Sequence, residues 1–223
     1  MRMHYGPHPD QWVQYHAPEH TTADGAVLII HGGYWREKYT ADLGTPLAED
    51  LAARGIPAYN LEYRRGAGSA ARMLADAKLA VGLISQEGPI TVIGHSAGGH
   101  LGALLAAHDP RITQVISQAG LLDLGLAQQL KLSSDAVDEL LGDEPLAKYD
   151  PVELWPVAAR VIIFHGREDA DVPVKIARRA AQKAAALGQE HSFTLFDGDH
   201  FTWIDPHSSH WAACVRALSP VHY

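Results

Sequence analysis

Residues 90–101 read Ile90-Thr91-Val92-Ile93-Gly94-His95-Ser96-Ala97-Gly98-Gly99-His100-Leu101: a β-branched run, a turn of small residues, then a small-residue apolar stretch. The run Ile90–Ile93 predicts a short buried strand, and the residues from about 97 to 108 a helix. Between them, Gly94-His95-Ser96-Ala97-Gly98 fits G-x-S-x-G in the strand–turn–helix setting that the motif requires. Such a turn is tight and holds the serine backbone in a strained conformation, so its neighbours must be small. Gly94 and Gly98 meet that need, while Gly99, Gly102 and Ala103 let the helix approach the sheet closely. The helix N-terminus then turns its free N–H groups toward the serine. A phosphate-binding loop does not fit, because no Lys-Ser/Thr pair follows the glycines.

On either side of this turn, short β-rich runs alternate with longer Ala-rich stretches, the pattern of a mostly parallel sheet covered by helices on both faces. Strands are expected at 11–16, 26–31, 56–63, 90–93, 112–118, 161–164 and 191–196, about seven in all, within the usual range for sheets. The run Ala26–Ile30 is apolar throughout, as for a strand buried on both faces, whereas 11–16 alternates like an edge strand. Helices are expected at 44–54, 70–86, 97–108, 173–187 and about 206–218, with Gly55 and Gly88-Pro89 as stops. Residues 120–158 break the rhythm with two short helical patterns and the pairs Asp150-Pro151 and Trp155-Pro156. We read them as a small cap insertion in one α/β domain spanning 1–223.

Three further stretches carry chemistry. His31-Gly32-Gly33-Tyr34-Trp35 follows the first buried strand, where a glycine loop exposes backbone N–H groups to a developing oxyanion. The expected oxyanion hole is the Ala97 N–H with one from Gly33 or its neighbour Gly32; losing one such donor costs about 3–4 kcal/mol of transition-state stabilisation. His31 is expected to steady the loop, and Tyr34 and Trp35 either pack it or line a substrate pocket. The segment 165–173, His-Gly-Arg-Glu-Asp-Ala-Asp-Val-Pro, offers three acids after a strand. Asp169 has the best claim to partner a base, Asp171 is the alternative or a helix cap, and Glu168 reads as solvated. Finally, Asp197-Gly198-Asp199-His200-Phe201 sets His200 on a loop, and an imidazole titrating near neutrality can take the serine proton and return it to a leaving group. Nucleophile, acid and base thus follow in the chain order Ser96, Asp169, His200.

Composition narrows the partners. The formal charge of −8 argues against nucleic acid, which needs clustered Lys and Arg. Fourteen histidines invite a metal reading, but they form no H-E-x-x-H or Cys/His cluster; His207 and His210 could share one helix face. The single cysteine, Cys214, allows no intramolecular disulfide and suits a reducing cytoplasm. Met1–Pro9 does not read as a signal peptide, and the apolar runs are too short to cross a bilayer. The expectation is a soluble cytoplasmic protein without cofactor or metal, with residues 207–218 as a candidate homodimer surface.

The set H-G-G-Y-W, G-H-S-A-G-G-H-L, H-G-x-x-D and D-H-F resembles the α/β-hydrolase superfamily from residue 26 to the end. The His31–Trp35 loop and the Gly94–Leu101 turn look most like serine-type kynurenine formamidases (arylformamidases), and the same motifs occur in carboxylesterases, including feruloyl and acetyl esterases. The resemblance implies hydrolysis of a small-molecule ester or aryl formamide: Ser96 would carry the acyl group, Gly32 and Gly33 would shape the oxyanion hole, and Asp169 and His200 would complete the triad. Two rivals remain, a catalytically silent binding or scaffold protein on this fold and a thioesterase or peptidase with the same triad. A silent relative usually lacks a triad member, and all three residues are present here.

Overall fold

The computed structural model describes residues 1–218. Within them, eight strands form one sheet in the order β1-β2-β4-β3-β5-β6-β7-β8. These are β1 Arg2–His4, β2 Trp12–His16, β3 Ala26–Ile30, β4 Ala58–Glu62, β5 Ile90–His95, β6 Ile112–Gln118, β7 Arg160–Gly166 and β8 His191–Phe196. The pairs β1–β2 and β2–β4 are antiparallel and the others parallel. The expected seven strands therefore become eight. The extra one is three residues long, with its outer two exposed, and pairs only with residues 12–14.

Alternate side chains of β3 enter two cores, as the pleat requires. Leu28 and Ile30 join Val92 of β5 in a cluster with α2 (Ala70–Val81) and α3 (Ala97–Ala106). Val27 and Ile29 join Ile93 and Ile116 in a second cluster, with α1 (Thr45–Ala53) and α8 (Ser209–Leu218). The α8 residues His210, Trp211, Ala213 and Cys214 are buried in it, so that helix begins at Ser209 rather than near 206 and presses one side on the sheet. Each fully buried aliphatic side chain here contributes about 1.5–3 kcal/mol of transfer free energy.

Residues 120–158 hold three short helices, α4 (Leu124–Gln129), α5 (Leu132–Leu141) and α6 (Pro151–Leu154). Two buried aspartates organise the first of them. Asp123 accepts from the Leu126 N–H, while Asp150 accepts from the Leu124 and Gly125 N–H groups, all at 2.9 Å. Each such cap typically contributes about 1 kcal/mol. The longest helix, α7 (Lys175–Leu187), buries Ile176, Ala177, Ala180, Ala181 and Ala184 on one face and ends at Gly188, whose φ of 72° suits only a glycine comfortably.

After β3 the chain steps outward to β4; after β5 it steps the other way, to β6. The loops leaving the carboxyl ends of β3 and β5 diverge there, opening the crevice in which sheets of this kind place their chemistry. Ile30 of β3 pairs with Gly94 of β5, so Gly32 and Ser96 leave adjacent strand ends. The loops after β7 and β8 emerge from the same edge, with His165 of β7 opposite Leu195 of β8.

Candidate active site

The turn after β5 has the strain that its sequence predicts. Ser96 sits at φ 54°, ψ −118°, a conformation that costs a non-glycine residue about 1–3 kcal/mol. Its backbone is fixed from both sides: its N–H donates to the Gln118 carbonyl at 2.8 Å and its carbonyl accepts from Gly99 at 3.0 Å. A Cβ on Gly94 would lie 2.2 Å from the Gly98 carbonyl oxygen, and one on Gly98 would lie 2.0 Å from that of Ile30. Both obstacles are backbone, which cannot swing aside. Gly98→Ala is therefore expected to destabilise the fold by about 3 kcal/mol or more, read as a lowered urea midpoint with an unchanged slope; an unaltered midpoint would show that the turn has room to spare.

Ala97 is the first residue of α3, where an N–H has no intrahelical acceptor. The loop from β3 closes against this corner. A Cβ on Gly32 would come within 2.8 Å of the Ser96 Cβ, and one on Gly33, at φ 114°, within 2.4 Å of the Tyr39 ring. A buried cluster holds the loop from below. His31 reaches the Gly32 carbonyl with Nδ1 at 2.9 Å and Glu62 Oε1 with Nε2 at 3.1 Å. Glu62 also accepts from the Ala41 N–H and from Arg65. Burial pushes the Glu62 carboxyl up, but the bonds and charges of His31, Ala41 and Arg65 outweigh it and hold the group below its ordinary value.

Tyr34 and Trp35 both adopt positive φ, 49° and 56°. Trp35 is buried, its ring edge-on to His100 of α3 with centroids 5.1 Å apart, so it anchors the loop by packing. Tyr34 is half-buried and donates its hydroxyl to the Asp171 carbonyl at 2.6 Å, tying the glycine loop to the loop after β7. Burial and the charges of Asp171 and Asp169 push its phenol well above the ordinary range.

The structure brings Asp169 and His200 together. Both are buried, and His200 Nδ1 lies 2.8 Å from Asp169 Oδ2. The other carboxylate oxygen accepts from the Asp171 and Val172 N–H groups at 3.0 and 2.7 Å. Asp171 and Glu168 point to solvent; the Asp171 groups engaged here are its main-chain N–H and carbonyl. Ser96 Oγ is buried and forms no hydrogen bond within the described residues. His207 is exposed and His210 packs against Phe196 and Trp203, away from this group. Among the described residues no group of three or more His, Cys, Asp or Glu is placed to hold a metal ion.

Two histidines near the site went unassigned in the sequence reading. His95 donates Nε2–H to the His200 carbonyl at 2.8 Å, and His165 donates Nε2–H to the Val172 carbonyl at 2.8 Å while lying 3.3 Å from Asp169 Oδ2. Burial lowers both rings, His95 to about 3, so each is a neutral donor at ordinary pH.

A mostly parallel eight-stranded sheet, helices on both faces and a serine turn at the carboxyl edge define the α/β-hydrolase fold. The chain belongs to the BD-FAE family, α/β-hydrolase-type esterases, whose match covers residues 14–183. It is 24% identical over 247 residues to a probable isoprenylcysteine alpha-carbonyl methylesterase, ICMEL1, of Arabidopsis thaliana, covering 89% of this chain and 50% of that protein. The chain thus spans about half the length of that curated relative. Among solved structures, a truncated carbohydrate esterase from gut microbiota superposes with a TM-score of 0.81 at 17% identity, covering 97% of this chain and 93% of that one. A thermophilic esterase of Thermogutta terrifontis, Est2, superposes with a TM-score of 0.73 at 23% identity, covering 97% and 89%. No described helix is long and apolar enough to cross a membrane.

Proposed function

We propose that this chain hydrolyses carboxylic esters through an acyl-enzyme on Ser96, with His200 as general base and Asp169 as the carboxylate that orients it. The Asp169–His200 bond beside the strained serine turn carries the reading. A carboxylate on Nδ1 fixes the tautomer that leaves Nε2 with a lone pair, the form that accepts a proton from a hydroxyl. As Oγ attacks the ester carbonyl, its proton passes to His200 Nε2, and the carbonyl oxygen takes negative charge. The Ala97 N–H and one from Gly33 or its neighbour receive that charge. Collapse expels the alcohol, which leaves with the proton from Nε2. Water then repeats the sequence on the acyl-serine, releasing the acid and restoring the hydroxyl.

Acyl transfer requires Oγ to be uncovered. The Tyr34–Asp171 hydrogen bond bridges the glycine loop and the loop after β7, and such a bond is worth about 1 kcal/mol net. Opening it is well within thermal reach. The family and the relatives named above favour esters. The likeness of the His31–Trp35 loop and the serine turn to arylformamidases supports a second substrate class, aryl formamides.

A kinetic comparison separates the two. Turnover of p-nitrophenyl acetate and butyrate is expected, with kcat/KM above that for N-formylkynurenine. A preference for the formamide by several orders would move the chain to the formamidases. Absence of turnover on all three, together with no labelling of Ser96 by a fluorophosphonate, would end the proposal and favour a silent scaffold.

A further inference from the structure

The residue just before the serine grips the residue that would take its proton. His95 is buried on the last position of β5, and its Nε2–H reaches the backbone carbonyl of His200 at 2.8 Å across 105 residues of chain. The two rings face each other with centroids 4.6 Å apart, at 50°. His200 sits on the short loop between β8 and the turn at Thr202–Ile204. Its ring is held at Nδ1 by Asp169 and its backbone by His95. The loop is further held from the β7 side, where the Glu168 N–H donates to the Gly198 carbonyl at 3.1 Å and Arg167 pairs with Asp197, and by Asp199, which accepts from the Phe201 and Thr202 N–H groups.

From this arrangement we infer that His95 is a positioning residue for the ester hydrolysis proposed above: it ties the base loop to the serine turn, fixing where His200 stands relative to Ser96. The inference rests on the reading of His200 as base. The link is short and rigid, since His95 and Ser96 are consecutive and Ser96 is itself pinned to Gln118. Its chemistry also suits the task. Burial and the neighbouring His200 keep the His95 ring low, at about 3, so it stays neutral when His200 takes up a proton and adds no second cation against it. Gly32 gives the ring its place: a Cβ there would lie 3.0 Å from His95 Nδ1 and crowd it. Misplacing a reacting group by about 1 Å can cost about 100-fold in rate.

The test uses the full chain with His95→Phe, which keeps a ring but loses the donor, and His95→Gln, whose amide can restore it. The titratable groups facing His200 are Asp169, His95, His165 and Asp199. On p-nitrophenyl acetate, His95→Phe is expected to lower kcat by about 10- to 100-fold with KM within about twofold. The acid limb of its pH profile should move to lower pH, as a loosened imidazolium loses part of its pairing with Asp169. His95→Gln should recover most of kcat and the original limb. Unchanged kcat and pH profile in His95→Phe, or no recovery in His95→Gln, would overturn the inference. If the wild-type chain turns over no ester, the functional reading has failed and the tie is judged by proton NMR. Loss of the downfield His200 Nδ1–H signal in the Phe variant and its retention in the Gln variant support the tie. Persistence of that signal in the Phe variant refutes it.

Discussion

Ser96→Ala is expected to lower kcat toward p-nitrophenyl acetate by about 10⁵- to 10⁶-fold, the scale on which serine hydrolases lose turnover without their nucleophile. The same variant should be no less stable than the parent, and up to about 1 kcal/mol more so. That second expectation follows from a local detail. Ser96 Oγ is buried and has no hydrogen-bond partner among the described residues, so removing it discards an unsatisfied polar atom rather than a bond. The backbone strain at φ 54° is the same for alanine. Activity lost while stability holds is the mark of a residue kept for chemistry at the expense of the fold. Retained turnover would exclude Ser96 as nucleophile, whereas a large fall in stability would mean that the hydroxyl has a structural partner.

Much of this site was legible in the sequence because backbone contact dictates it. Gly94 and Gly98 are forced by carbonyls about 2 Å from where a Cβ would stand, and such constraints print directly as glycines in a motif. The order of strands and helices was legible for a similar reason: Ala26–Ile30 is an apolar run that only a covered sheet accommodates.

What escaped the reading depends on partners without a sequence signal. His95 and His165 act on the carbonyls of His200 and Val172, and any residue would supply those. Glu62 stabilises the glycine loop through His31, a pairing that only the β3–β4 register brings together. The same holds for β1, where three residues gain their strand only from Trp12–Gln14 beside them. The expected helix at 70–86 ends at Val81 with Gly82 as its cap, and Leu83 and Ile84 turn back to the core through tighter bonds to the Ala80 and Val81 carbonyls. Consecutive left-handed residues at Ser133, Ser134 and Asp135, none of them glycine, had no pattern to announce them.

Two carboxylates competed for the base in the sequence, and paired substitutions decide between them. Asp169→Asn is expected to lower kcat by about 10⁴-fold. The geometry says why an isostere fails. The Asp171 and Val172 N–H groups both donate to Oδ1, so an amide at this position must turn its oxygen to them. Its NH2 then faces His200 Nδ1, which has to accept rather than donate. The ring proton moves to Nε2, and the nitrogen that takes the serine proton in the proposed mechanism can no longer do so. Asp171→Asn changes neither of the backbone groups that Asp171 uses, its N–H to Asp169 and its carbonyl to Tyr34, and its side chain is exposed. Its kcat should stay within about twofold of the parent. Steady-state kinetics on both variants reads the contrast directly. Collapse of turnover in Asp171→Asn with Asp169→Asn spared would transfer the role to Asp171 and require the loop after β7 to rearrange before substrate is cleaved.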